Sequence, residues 1–418
     1  KRFEKSFGTL QTESEPEPKP ESEEEVEESA EYLEEEDKDD GNVDFNGKAY
    51  YGKEGIEYNM IRTPIGGCDF STHPYSLNDL PWDDRTLSNF SLTDEDYFLK
   101  VLKNKNKAST FATDEIKIVG TTWAPPLWMK NSKKITGFSR LLPEFYQTYA
   151  DYHIRFLEEY EKAEVKIWGI TTTNEPINGV IPLVDFNSLG WTPGRWVADN
   201  LGPTIRKSRF NATKILGVDD QRYIVPIWMA GVSTGNAQCL KKLQNPSTTW
   251  TVWQSITTAT SYHPQFSDTS CEGPMPWDKE KVSIGAWDRA GNVLRIIFLQ
   301  DLNNFVGAWI DWNLCLDPIG GPNWVANYVD APILVFKDSD EFVKQPMYYG
   351  IGHFSKFIPR GSIRISASRQ SLATVENVAM LKPDGNIVMV ALAYNYITLP
   401  QPLKPWTNVL GKQNVVRF

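Results

Sequence analysis

The segment Val165 to Val180, V-K-I-W-G-I-T-T-T-N-E-P-I-N-G-V, constrains this chain more than any other. Val165, Ile167, Trp168, Ile170 and Thr171 to Thr173 are β-branched or aromatic, a run that favours a strand over a helix. Pro176 cannot donate to a ladder and ends the run. Asn174-Glu175-Pro176 therefore sets an amide and a carboxyl where a strand gives way to a loop. In a parallel barrel that C-terminal rim is where chemistry is done. Glu175 is the first candidate for a general acid/base, although the tripeptide alone fits a plain turn with a solvated Glu better.

Charge divides the chain. The net charge is −11, yet residues 1–40 hold 17 Asp/Glu against 5 Lys/Arg, a net −12, which leaves the remainder at +1. With Glu23-Glu24-Glu25 and Glu34-Glu35-Glu36 and few apolar residues, this tail cannot bury enough surface to order itself and is expected to be disordered. No basic cluster with interleaved aromatics points to nucleic acid. The chain starts at Lys1 with neither a secretory signal nor an apolar run long enough to cross a bilayer, which reads as a fragment or a processed form. Cys68, Cys239, Cys271 and Cys315 are too few and too scattered for a disulfide framework or a zinc site. The sequons Asn89-Phe-Ser and Asn211-Ala-Thr are consistent with a secretory route.

Several long motifs carry a resemblance. The spacing W-x-x-T-x-x-N-E-P is similar to the acid/base strand, strand four, of the clan A glycoside hydrolases. Asn59 to Ser71 (N-M-I-R-T-P-I-G-G-C-D-F-S), Val218 to Arg222, Trp309 to Asp330 and Gln345 to Pro359 narrow it to the glucosylceramidase family, glycoside hydrolase family thirty. The likeness runs from about Tyr50 to the C-terminus. It implies a (β/α)8 TIM barrel with a C-terminal β-sandwich: residues 1–48 as tail, 49–330 as barrel, 331–418 as sandwich. It also implies retaining hydrolysis of the β-glucosidic bond of glucosylceramide, in sphingolipid catabolism, without metal or organic cofactor. A saposin-type activator, an anionic membrane surface and the lysosome follow from the resemblance alone.

The same resemblance distributes roles. Glu175 becomes the acid/base. Asp69, Trp123, Asn174, Trp312 and Asn327 contact the sugar, and Arg62, Asp219, Asp220, Arg222 and Cys271 support the site. Read without the family, Asp69 is a turn residue and Trp312 a core residue. The second carboxyl is where the chain departs. Aligning Phe266-Ser-Asp-Thr-Ser-Cys-Glu-Gly on Cys271 puts Thr269 where the strand-seven nucleophile belongs, and a threonine hydroxyl without a base cannot replace a carboxylate. Asp268 and Glu272 are the nearest carboxyls, but side chains alternate along a strand, so both point away unless a bulge turns Glu272 inward. Glu272 is the best available nucleophile. The alternatives are a catalytically silent relative that binds glucolipid or a partner, and a truncated isoform.

In chain order, Tyr50 to Ile56 reads as a helix end and Tyr58 to Pro64 as a buried strand. Ser91-Leu-Thr-Asp-Glu-Asp reads as a capped helix start, and Thr110 to Val119 as an irregular strand. Leu141 to Glu164 is an amphipathic helix with Phe145, Tyr149, Tyr152, Phe156 and Tyr160 on one face. A second helix spans Trp191 to Ser208, ahead of a strand at Thr213 to Val218. Phe305 to Leu314 reads as the eighth strand, and short strands follow from Ile333. Counterparts of barrel strands one and six are not found, and their loss would leave unpaired strand edges, each buried orphan costing about 1–3 kcal/mol.

Overall fold

The structure, a computed structural model, describes residues 47–100, 108–134, 139–176, 193–217, 219, 258–259, 290, 300–303, 307–325, 329–367, 375–393 and 415–416. Its centre is a parallel four-stranded sheet of β1 (Met60–Ile65), β2 (Lys117–Thr122), β3 (Gly169–Thr171) and β4 (Lys214–Leu216), in that order. The register runs Arg62↔Val119, Val119↔Gly169 and Gly169↔Lys214. Because successive side chains face opposite ways, Ile65, Ile118, Ile170 and Ile215 point together into the helix-side core. Val119 and Leu216 form a separate inner cluster with Ile310, against which Met60 and Trp168 pack. A sheet buried on both faces is what βαβ connections produce, and it explains why these strands read as nearly continuous apolar runs.

The layer that covers the outer face begins with α1 (Asp94–Phe98), a short helix capped by Thr93 and Asp96 in a reciprocal box. The N-cap is two residues later than the Ser91 reading, because the box needs Thr93 three positions before Asp96. The strand expected at Thr110 to Val119 starts instead at Lys117: a helical turn covers 108–111, and Asp114 Oδ1 accepts the Glu115 N–H at 2.7 Å, folding the intervening chain into a turn. Helix α2 (Tyr146–Lys162) follows a 3₁₀ turn at Pro143–Phe145 and buries Tyr149, Tyr152, Phe156 and Tyr160 completely. Two of the hydroxyls are used: Tyr152 Oη accepts the Leu77 N–H, and Tyr160 Oη donates to Asp96. The helix lies so close to β2 that a Cβ on Gly120 would stand 2.8 Å from a Phe156 ring carbon and 3.2 Å from Ile65. Gly120→Ala is therefore expected to overpack this seam and destabilise by about 1–3 kcal/mol, measured as a lower urea midpoint at unchanged slope.

His153 sits on the same helix, fully buried, with Nδ1 2.8 Å from the Tyr149 carbonyl and Nε2 3.3 Å from Thr122 Oγ1. Burial lowers its pKa from 6.5 to about 4, only partly offset by the Tyr149 hydrogen bond. Above pH 6.5 the folded and unfolded chains are both neutral at this site; below it only the unfolded chain takes up the proton. Stability should thus fall by about 1.4 kcal/mol per pH unit as pH drops through this window, roughly 3 kcal/mol in all. Denaturant titrations at several pH values should show this slope, and His153→Gln should flatten it.

The second helical segment is not one helix. It comprises α3 (Pro193–Trp196), a π turn at Val197–Leu201 and α4 (Gly202–Lys207). Pro203 is the cause: it has no N–H for the carbonyl four residues back and its ring crowds that carbonyl, so the preceding turn widens.

Beyond β4 a parallel pair joins β5 (Thr258–Ala259) to β6 (Ile310–Asp311). Among the described residues the expected eighth strand forms a ladder over Ile310–Asp311 only, its partner β5 lies upstream of 266–271, and residues 266–271 are themselves outside the described residues. Ile310 closes on Val119 and Leu216, yet among the described residues no ladder joins β6 to β1. The sheets are those of a partial barrel. Two further sheets follow, β7 (Cys315–Leu316), β8 (Ile333–Phe336) and β9 (Glu341–Lys344), then β10 (Ile363–Ile365), β11 (Val375–Leu381), β12 (Ile387–Ala393) and β13 (Val415–Val416). The β11–β12 hairpin turns at Pro383-Asp-Gly-Asn with Gly385 at φ +82°, the conformation that glycine adopts without strain. Between these sheets α5 (Pro346–Ser355) packs on the chain ahead of β1, with Tyr348 Oη donating to the Ala49 carbonyl at 2.6 Å.

Candidate active site

The site is built at the C-terminal ends of β1 to β4. Strand β3 stops at Thr171, and the chain continues through Thr173, whose hydroxyl donates to the Thr122 carbonyl, to Asn174, whose N–H donates to the same oxygen at 2.8 Å. Asn174 forms a parallel bridge with Asp219, and the Glu175 N–H donates to the Asp219 carbonyl at 2.7 Å. Glu175 itself is half-buried with φ +39°. A non-glycine residue in the left-handed region ahead of a proline is strained, a condition that concentrates at functional sites. The strain turns the chain off the strand axis right at the rim.

Beneath it lies Arg62, an inward-facing residue of β1. Its guanidinium donates to Asn174 Oδ1 at 2.7 Å, to Asp219 Oδ2 at 2.7 Å and to Thr121 Oγ1 at 3.0 Å. The Arg62–Asp219 pair is buried, with side chains 5% and 2% exposed. One cation thus holds the amide beside Glu175 and the carboxylate whose backbone anchors Glu175. The same guanidinium lies 4.6 Å above the Trp123 ring, and Trp123 stacks on Trp312 at 5.4 Å. Trp312 in turn meets Phe70 edge-on at 5.5 Å. Trp123 is buried and Trp312 half-buried, so the second indole is the one with surface to offer.

Asp69 arrives on the loop after β1 and is buried. Trp324 ties this loop to the C-terminal part of the barrel: its indole N–H donates to the Cys68 carbonyl at 2.9 Å and its backbone N–H to the Asp69 carbonyl at 3.3 Å. Cys68 packs with Trp123 and Trp312. Burial first, then the neighbouring Asp69, pushes its thiol up to about 11, which keeps it a protonated, unreactive filler.

The structure therefore brings Arg62, Asp69, Trp123, Asn174, Glu175, Asp219 and Trp312 into one connected constellation. Asp220, Arg222, Cys271, Glu272, Thr269 and Asn327 lie outside the described residues. Thr121 and Trp324 were missed by sequence reasoning; Trp324 stood inside the Gly-Gly-Pro-Asn-Trp motif, but its role is carried by backbone contacts that no side-chain pattern announces. A cleft of about 630 Å³ lined by Asp114, Glu115, Lys166 and Trp168 opens at the N-terminal ends of β2 and β3, the opposite end from these residues. Among the described residues no group of His, Cys, Asp or Glu could hold a metal ion, and no helix is long and apolar enough to cross a membrane.

A strand-end Glu beside an Asn that a buried Arg holds, with that Arg packed on one of two stacked indoles at the rim of a partial (β/α)8 barrel, is the constellation of a glycoside hydrolase. Comparison with known proteins narrows the class. The profile of the glycosyl hydrolase family 30 TIM-barrel domain matches residues 37–358, and that of the family 30 β-sandwich domain matches residues 361–395. The chain is 37% identical to the lysosomal acid glucosylceramidase of Mus musculus over 361 residues, covering 82% of this chain and 69% of that one. Among solved structures it is similar to SrfJ from Salmonella typhimurium, at TM-score 0.67 and 22% identity over 84% of this chain and 77% of that one. It is also similar to an endo-β1,6-glucanase, at TM-score 0.66 and 21% identity over 85% and 80%. The chain belongs to glycosyl hydrolase family 30.

Proposed function

We propose that this chain is a retaining β-glucosidase of the glucosylceramidase type, with Glu175 as the acid that protonates the leaving oxygen and the base that later activates water. The observation that carries the reading is the Arg62 hub, which fixes both Asn174 and Asp219 and through them the strained turn at Glu175. Asp69, Asn174 and Trp312 contact the glucose unit, joined by Asn327, with Trp123 packed behind Trp312 and Asp220 and Arg222 in the supporting network. Retention requires a second carboxyl about 5–5.5 Å away as nucleophile, and Glu272 takes that part. The likeness to the mouse lysosomal acid glucosylceramidase supports glucosylceramide as substrate and the lysosome as the place of action; a saposin-type activator at an anionic membrane surface belongs to the same proposal, on the family resemblance of the sequence motifs alone. Asn89 and Asn211 are both exposed, as glycosylation would need.

A second reading follows from the alignment on Cys271, which puts Thr269 at the nucleophile position: a silent relative that binds glucolipid without cleaving it. A cyclitol epoxide separates the two. Covalent labelling of the peptide that carries Glu272, read by mass spectrometry, is the expected outcome for the enzyme. Sugar binding without an adduct, together with turnover gained by Thr269→Glu, would establish the silent relative.

A further inference from the structure

We infer that Lys100 and Glu95, at the two ends of the α1 segment, are positioning residues that clamp the loop carrying Asp69. The inference rests on the reading of Asp69 as a sugar ligand. The loop spans Gly66 to Thr72, and Asp69 stands at its middle. On one side Lys100 Nζ donates to the Gly66 carbonyl at 2.8 Å, to the Pro64 carbonyl at 3.4 Å and to Asp96 Oδ1 at 2.9 Å. Pro64 is the next-to-last residue of β1 and Gly66 the first beyond it, so Lys100 grips the chain where it leaves the sheet. On the other side Glu95 Oε1 accepts the Thr72 N–H at 3.2 Å and also the Thr72 hydroxyl. Both grips are protected from water: the Lys100 side chain is 9% exposed, that of Asp96 fully buried and that of Glu95 10% exposed.

The clamp is itself braced. Asp96 Oδ2 accepts from Thr93 N and Oγ1, and Tyr160 Oη donates to Asp96 Oδ1 at 3.0 Å, so Lys100 is aimed by a carboxylate that helix α2 holds still. The loop has reason to need holding. Gly66 has φ +84°, and a Cβ there would stand 3.0 Å from the Tyr75 carbonyl. Gly67 follows it, and two adjacent glycines leave the chain free to choose among many conformations. Without fixed ends, Asp69 would sample positions instead of waiting in one, and the ordering cost would fall on sugar binding.

The test is a set of calorimetric titrations with a glucose-shaped iminosugar, paired with amide hydrogen exchange over residues 67–72. Lys100→Met and Glu95→Gln should each weaken binding roughly three- to tenfold and speed exchange locally, and Lys100→Arg should restore both. Asp69→Ala should weaken binding roughly 10- to 100-fold, and adding Lys100→Met to it should weaken binding no further. If exchange at 67–72 is unchanged in Lys100→Met, or if its effect persists in full in the Asp69→Ala background, the clamp is overturned while Asp69 keeps its role. If Asp69→Ala binds as tightly as the parent, or the parent does not bind, the reading of Asp69 fails and the clamp with it.

Discussion

Arg62→Met should lower the thermal midpoint on the order of 10 °C. The guanidinium is buried inside the barrel with three acceptors on Thr121, Asn174 and Asp219. Removing it leaves the Asp219 carboxylate, 2% exposed, without its cation. Breaking a buried pair from one side costs about 3–5 kcal/mol, because the remaining charge keeps its desolvation penalty and loses its compensation. At about 2–4 °C per kcal/mol for a large domain, that gives the stated shift. Asp219→Asn on its own should also destabilise, since it strands the cation. The double variant Arg62→Met with Asp219→Asn should recover part of the loss, because no charge is then left buried. Circular dichroism melts of the four proteins measure the coupling. Additive losses would show that the pair does not hold the rim together.

The second large effect is chemical. Glu175→Gln keeps shape and volume but has no proton to give, so turnover of a β-glucoside should fall by about 10² to 10⁴. Its thermal midpoint should fall much less than that of Arg62→Met, because the substitution strands no buried charge pair and leaves the backbone N–H donated to the Asp219 carbonyl in place. A loss of rate without loss of fold distinguishes this residue from Arg62, whose substitution reduces both.

Much of the candidate site was legible because its residues are punctuation. Glu175 stands between a β-branched run and a proline, and Asp69 follows a glycine pair at the end of another strand. The aromatic face of α2 was equally plain, since four tyrosine and phenylalanine rings at helical spacing have no other use. What escaped was of two kinds. Some readings failed locally: Pro203 lay inside a segment read as one helix, and the Asp114-Glu115 turn delayed the start of β2. Others depend on contacts distant in sequence. Trp324 acts on the Cys68 and Asp69 carbonyls, and Lys100 on those of Pro64 and Gly66. Backbone carbonyls carry no letter in the sequence, so their partners are visible only once the chain is folded. Arg62 shows the intermediate case: its strand was identified, yet its three-way bridge depends on β2, β3 and β4 being in register.

The most direct measurement is the hydrolysis of a fluorogenic β-glucoside at acidic pH by the purified chain beside its Glu175→Gln variant. A measurable rate in the parent, reduced at least about a hundredfold by the single exchange of oxygen for nitrogen, is the predicted result. Equal rates in the two proteins, or no release by a correctly folded parent, would contradict the assignment of the proton donor at the mouth of this barrel.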